Sequence, residues 1–137
     1  MTTSVTPISH PTLKDQRNAD RPVLVLGARS DIARALAHAL AARGHPLQLA
    51  ARQADTLERD RDDYALRHGV PVSLHELDVT RPETFAAMLS SLPVPPRIVI
   101  SAVGLMGDQD ANAADPALAM QVFATNFTGP ALFCEEV

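Results

Sequence analysis

The sequence predicts a doubly wound α/β fold, and three observations carry this prediction. Short apolar runs alternate along the chain with segments of helical periodicity, which is the pattern of βαβ units. The runs are continuously apolar, as in parallel strands that helices cover on both faces. Most of them end in glycine or a polar residue, and ligands of such folds bind at the carboxyl ends of the strands. The 137 residues suffice for one domain with a hydrophobic core.

The first half of the chain is predicted to contain two strand–helix units. Ser30 or Asp31 is suited to cap the first helix, and Gly44 and Gly69 follow the two helices, where glycine commonly ends a helix. In chain order, the elements are a strand at Val23–Gly27, a helix at Ser30–Arg43, a strand at Pro46–Ala51 and a charged surface helix at Thr56–His68.

The second half continues the alternation. Pro82 suits the first turn of a helix, and the prolines at 93–96 indicate a linker. The expected elements are a strand at Pro71–Leu77, a helix at Pro82–Leu92, a strand at Arg97–Ser101, a polar loop over residues 105–115 and a long helix at Pro116–Val137 that is interrupted near Gly129-Pro130.

Composition and charge narrow the class of protein. Hydrophobic residues make up 46% of the chain and charged residues 20%, as in ordinary globular domains. The formal net charge of -4 argues against a nucleic-acid binder. No apolar stretch is long enough to span a membrane. The single cysteine, Cys134, excludes an internal disulfide and fits a reducing, cytoplasmic location.

Two further predictions concern the amino terminus and metal binding. Residues 1–21 lack the apolar core of a secretory signal and are expected to form a disordered tail, so the domain spans residues 22–137. The five histidines show no paired spacing typical of a metal site, and no metal is expected.

The strand–turn–helix at Val23–Ala33 is predicted to bind an anion. Amide groups at the start of a helix face outward, and the helix dipole favours negative charge there. Gly27 permits a tight turn and lets a ligand approach the backbone. A plain helix-capping turn is the alternative interpretation of the same residues.

Two other strand ends carry charged side chains. An arginine after the second strand of a dinucleotide fold can contact a 2′-phosphate, and the planar guanidinium of Arg52 suits that role. Arg29 is positioned to help. The alternative interpretation of Arg52 is an ordinary arginine exposed to solvent after a strand. The second charged side chain, Asp78, follows the third strand, and its alternative interpretation is an aspartate that caps a turn.

Together these segments resemble the N-terminal half of short-chain dehydrogenases/reductases, from about Pro22 to Val137. The family motif Thr-Gly-x-x-x-Gly-x-Gly falls on Leu26–Ala33, where Gly27 is kept but Asp31 and Ala33 replace the later glycines. The resemblance implies a Rossmann-type sheet of about four strands in the order 3-2-1-4 and an NAD(P) cofactor, with Arg52 favouring NADP. A carboxylate at position 31 would repel the pyrophosphate unless it is turned away.

The resemblance also implies a set of cofactor-binding residues. Asp78 and Val79 match the pair that holds adenine, and residues 101–104 replace the family's Asn-Asn-Ala-Gly, of which only Gly104 is kept. The expected set is Gly27, Arg29, Ser30, Asp31, Ile32, Arg52, Asp78, Val79, Ser101, Ala102, Val103 and Gly104.

Asn126 matches the family's helix asparagine, which bends the helix and takes part in a proton relay. The resemblance therefore implies a supporting catalytic role for Asn126. An ordinary helix-surface asparagine is one alternative, and the Asn126-Phe127-Thr128 pattern also fits an N-glycosylation acceptor.

The family's catalytic serine and its Tyr-x-x-x-Lys do not occur in this sequence, where they would follow the asparagine helix. The expected protein is therefore a cofactor-binding fragment of an oxidoreductase that acts on a small carbonyl or alcohol, with the strand at Arg97–Ser101 left as an open sheet edge. A non-catalytic nucleotide-binding or interaction module is the main alternative, and an S-adenosylmethionine-dependent methyltransferase is a weaker one. The sequence leaves a homo-oligomer open.

Overall fold

The computed structural model describes residues 20–137, and its four strands form one parallel sheet in the order β3-β2-β1-β4. The strands are β1 at Val23–Leu26, β2 at Leu47–Ala51, β3 at Val72–Glu76 and β4 at Ile98–Ser101. The predicted fold class and strand order are confirmed. The tail prediction falls almost entirely on residues 1–19, which lie outside the described residues.

Helices follow the strands as the sequence predicts, with two additions. Short 3₁₀ turns at Ala54–Leu57 and Pro82–Thr84 precede the second and third helices. The helices are α1 at Asp31–Ala42, α2 at Glu58–His68, α3 at Phe85–Ser91, α4 at Gln109–Ala114, α5 at Pro116–Phe123 and α6 at Gly129–Glu136.

The core divides into two layers, one on each face of the sheet. Val23 and Val25 pack with α1 and α2, whereas Leu24 and Leu26 pack with α3 and α6. Consecutive strand residues point to opposite faces, so a run that is apolar at every position needs cover on both sides. In the second layer the rings of Phe85 and Phe133 meet edge to face at 5.1 Å between centroids.

Side chains fasten the amino-terminal edge of the sheet. Arg21 donates to the carbonyl oxygens of Pro95 and Pro96, both at 3.1 Å. Gln48, buried in β2, donates to the Val94 carbonyl at 2.7 Å. The predicted linker is therefore hydrogen-bonded to the amino-terminal edge of the sheet, at which the strands begin. The carboxyl edge, at which the strands end, lies on the opposite side.

The prediction of a polar loop over residues 105–115 is wrong, because α4 forms within it. Asp108 caps this helix by accepting a hydrogen bond from the Ala111 amide at 2.8 Å. Polar composition concealed a short helix with a good cap and three alanines, which favour helix.

The predicted interruption of the last helix is a π-turn at Ala124–Thr128, which joins α5 to α6. The Gly129 amide donates to the Ala124 carbonyl, five residues back. Pro130 has no amide hydrogen to continue the ordinary ladder, so the irregularity falls one turn before the proline.

Candidate functional site

A cleft of about 510 Å³ lies at the carboxyl edge of the sheet. This volume is within the range of roughly 300–1,000 Å³ that small-molecule sites occupy. The four strand ends converge on this cleft, so residues far apart in sequence meet there. Of the residues predicted from the sequence, those that line it are Gly27, Arg29, Ser30, Arg52, Asp78, Val79, Ala102, Val103 and Gly104.

Gly27 forms the turn between β1 and α1 with a φ of +71°. A Cβ atom there would lie 2.8 Å from the Ala102 carbonyl oxygen and from two backbone atoms of Val103. The turn thus packs directly on the chain that leaves β4. Only glycine satisfies both the conformation and the contact.

Ser30 caps α1 and ties it to the same chain. Its hydroxyl accepts a hydrogen bond from the Ala33 amide at 3.1 Å and lies 3.3 Å from the Ala102 carbonyl, to which it donates. The amino terminus of α1, with its outward amides and positive dipole end, therefore borders the cleft.

Asp31 and Ile32 stand in the first turn of α1 but do not line the cleft. The Asp31 carboxylate is fully exposed and lies 4.0 Å from the Arg34 guanidinium. Ile32 is 77% exposed. The structure thus places the charge at position 31 in solvent, turned away from the cleft.

Arg52 follows β2 and lines the cleft beside Arg29. One Arg29 nitrogen donates to the Arg52 carbonyl at 3.3 Å and to the Gln53 side-chain oxygen at 3.1 Å. Both guanidinium groups are exposed, so this end of the cleft is positively charged and open to an anionic ligand.

Asp78 follows β3 and forms the turn that the alternative interpretation described. One of its oxygens accepts from the Thr80 amide at 2.9 Å and from the Thr80 hydroxyl at 2.6 Å. These hydrogen bonds, with smaller contributions from Arg52 and Arg81, lower the pKa of Asp78. The carboxylate lines the cleft in its charged form.

The chain after β4 carries Ala102, Val103 and Gly104 along the cleft wall, whereas Ser101 does not line it. Asn126 holds the continuation of this chain. Its side-chain oxygen accepts from the Leu105 amide at 2.7 Å, and its nitrogen donates to the Leu105 carbonyl at 2.8 Å. Asn126 does not line the cleft itself but fixes Leu105, which does.

Sequence reasoning missed several lining residues, among them Arg34, Gln121 and Thr125. A signal for the last two was present, because these polar side chains stand four positions apart in a largely apolar helical segment, and positions four apart share one helix face. Arg34 follows Ser30 by the same spacing. It also pairs with Asp60 of α2 at 3.4 Å.

Residues 20–137 contain neither a membrane-spanning helix nor a metal-binding cluster. None of the helices there has both the length and the apolar character needed to cross a membrane. In the same part of the chain, no group of three or more histidine, cysteine, aspartate and glutamate side chains is arranged to hold a metal ion.

Comparison with protein families gives one match, to a model described as short chain dehydrogenase, over residues 21–137. No curated protein matches the chain significantly. Among solved structures, a short-chain dehydrogenase from Sphingobium yanoikuyae in complex with NADPH is 27% identical, with a TM-score of 0.71 over 85% of this chain and 46% of that one.

Two structures from Brucella melitensis are also similar, and both are described as 3-oxoacyl-[acyl-carrier protein] reductases. One, in complex with NAD, is 24% identical with a TM-score of 0.71 over 86% of this chain and 48% of that one. The other is 18% identical with a TM-score of 0.77 over 98% of this chain and 52% of that one. The present chain spans about half the length of these proteins.

Proposed function

We propose, on the premise that this chain belongs to the short-chain dehydrogenase family, that its cleft binds a nicotinamide dinucleotide and prefers NADP to NAD. One observation carries the proposal: the glycine turn, two arginines and the Asp78 turn, from three different strand ends, line a single cleft. The complex of the Sphingobium yanoikuyae enzyme with NADPH supports the same cofactor class. Family membership leaves the methyltransferase alternative without support.

The pyrophosphate is assigned to the turn after β1. Gly27 lets a ligand approach the backbone, and the first turn of α1 supplies amide donors and a favourable dipole. Asp31 does not oppose this assignment, because its carboxylate is exposed and near Arg34.

The preference for NADP is assigned to Arg52. A guanidinium at the end of the second strand can form paired hydrogen bonds with a 2′-phosphate, and Arg29 adds a second positive charge beside it. Asp78 and Val79 are assigned to the adenine. The NAD bound to the Brucella melitensis reductase is the competing cofactor for this site.

For the complete reaction we infer hydride transfer between the cofactor and a small carbonyl or alcohol, in a protein that supplies the family's serine and Tyr-x-x-x-Lys. The bound nicotinamide supplies or accepts the hydride. The sole tyrosine, Tyr64, lies in α2 and donates to the Arg34 carbonyl at 3.3 Å, and burial raises its pKa. It is therefore a packing residue, and Asn126 is a positioning residue that holds the cleft wall.

Fluorescence titration with NADPH and NADH tests the assignment. Arg52→Ala should weaken NADPH binding about tenfold, the cost of one charge-assisted hydrogen-bonded contact, and leave NADH binding nearly unchanged. Arg59→Ala is the matched control, because Arg59 is an exposed arginine of α2 that does not line the cleft.

Two results would contradict the proposal in different ways. A chain that is folded by circular dichroism but binds neither cofactor would refute cofactor binding. Equal weakening of NADPH and NADH by Arg52→Ala would refute the role of Arg52 in selecting the 2′-phosphate.

A non-catalytic nucleotide-binding module is the second candidate. Ser101 and Ala102 favour it, since they replace the two asparagines of the family motif. The test uses a protein that contains this chain together with Tyr-x-x-x-Lys. If that protein binds the cofactor but does not oxidise NADPH when a carbonyl substrate is added, the second candidate is favoured.

A further inference from the structure

The turn after β2 has an unusual backbone. Gln53 adopts the left-handed conformation, with a φ of +54°, and is the only non-glycine residue with positive φ among residues 20–137. Such a conformation is unfavourable for a residue with a side chain unless its surroundings hold it. Gln53 directly follows Arg52, so whatever holds this turn also fixes the backbone of Arg52.

Glu76 holds the turn from the neighbouring strand. It is the last residue of β3 and lies opposite Ala51 in the sheet register. One carboxylate oxygen accepts from the Gln53 amide and the other from the Ala54 amide, both at 2.9 Å. The two donors begin the 3₁₀ turn at Ala54–Leu57, which has no side-chain cap of its own.

Arg29 holds the same turn from the opposite side, by its contacts to the Arg52 carbonyl and the Gln53 side chain. The peptide that follows Arg52 is thus held between a carboxylate and a guanidinium. Its carbonyl oxygen accepts from Arg29 and its amide donates to Glu76, so both polar groups of this peptide are hydrogen-bonded.

We propose that Glu76 is a positioning residue that determines cofactor selectivity. It keeps Gln53 left-handed and Arg52 on the cleft wall, where the guanidinium can recognise the cofactor's 2′-phosphate. This inference rests on the proposed NADP site. A purely electrostatic role for Glu76 makes the opposite prediction, because removal of a negative charge would then strengthen phosphate binding.

The test measures NADPH and NADH affinity for the full chain and four variants: Glu76→Ala, Gln53→Gly, the double variant, and Glu58→Ala. Glu76→Ala should weaken NADPH binding about five- to tenfold, approaching the loss expected for Arg52→Ala, because the guanidinium is no longer held on the cleft wall, and change NADH binding less than about twofold. The double variant should recover to within about twofold of Gln53→Gly, because glycine adopts positive φ without help. Glu58→Ala removes one exposed negative charge from the start of α2 and should alter neither affinity.

Three outcomes would overturn the role of Glu76. They are tighter NADPH binding by Glu76→Ala, equal weakening for both cofactors, and no recovery in the double variant. Amide hydrogen exchange supplies a readout that needs no cofactor: the Gln53 and Ala54 amides should exchange faster in Glu76→Ala, and unchanged exchange would refute the hold itself. If the folded wild-type chain binds neither cofactor, but the Gln53 and Ala54 amides still exchange faster in Glu76→Ala, the proposed function and the selectivity role are refuted. The hydrogen bonds by which Glu76 fixes the turn are then still confirmed.

Discussion

At Gly27, the backbone conformation and a close contact both require glycine. Gly27→Ala should lower the free energy of unfolding by at least about 2 kcal/mol, because alanine is strained at positive φ and its Cβ would overlap the chain after β4. Urea unfolding measures this loss.

Gly44→Ala is the matched control for Gly27. Gly44 also has a positive φ, of +83°, but no atom lies within 4 Å of a Cβ placed there. The control should lose only the backbone contribution, about 1 kcal/mol. Equal losses at the two positions would show that the contact with residues 102 and 103 has no energetic importance.

His75 gives the stability a dependence on pH. Burial lowers the pKa of this imidazole, so the unfolded chain takes up the proton near pH 6.5 and the folded chain only at lower pH. The free energy of unfolding should therefore fall as the pH decreases from about 7 through 6.5 and below. Urea unfolding at several pH values should show a shallower decrease for His75→Asn, and an unchanged slope would refute this cause.

At the scale of single residues, the sequence predicted the cleft residues that stand at strand ends, such as Arg52 and Asp78. It did not predict Glu76, whose partners are 22 and 23 residues away. The residues next to an acidic residue in a strand do not indicate that it makes such a contact. The pairing exists only because β2 and β3 are neighbours in the sheet.

The π-turn and the chain after β4 act together at the scale of secondary structure elements. Asn126 lies in the π-turn and binds both backbone groups of Leu105. Asn126→Ala should lower the free energy of unfolding by about 1 kcal/mol and accelerate exchange of the Leu105 amide. Thr128→Ala, at an exposed residue of the same π-turn that does not line the cleft, should leave that exchange rate unchanged; acceleration by both variants would contradict a specific role for Asn126.

Element boundaries show where local pattern suffices and where it does not. The strands and α1 follow from apolar runs and from the capping residue Ser30. Helix α4 was missed, because six residues are too few to display helical periodicity. The π-turn could not be predicted from local pattern, because it depends on the surroundings of Gly129, where a Cβ would overlap the Val79 carbonyl oxygen. That close approach, which brings the last helix against a cleft residue, involves elements far apart in sequence.

The whole sheet has an open side at β4, which pairs only with β1 among the described residues. Ile98 on this strand is 42% exposed, and Phe123 and Phe127, later in the chain, are 69% and 71% exposed. An apolar sheet edge is prone to pair with another chain. The present chain should therefore self-associate as its concentration rises.

Sedimentation velocity over a range of concentrations tests this expectation. Ile98→Lys should reduce association, since a charged side chain on an edge strand opposes pairing. Leu66→Lys is the control, because Leu66 is 91% exposed on α2, away from β4. Equal effects of the two substitutions would show that general charge, and not the edge, governs association.

The amino-terminal edge of the sheet, where Arg21 and Gln48 form their hydrogen bonds, is the side by which the molecule can be attached to a surface. Each strand has only four or five residues, about 13–17 Å at 3.3 Å per residue. That length separates the edge where the described chain begins from the edge that holds the cleft. A tether joined at Asp20 would immobilise the protein with its cleft facing the solution, whereas a label near Gly104 would obstruct it.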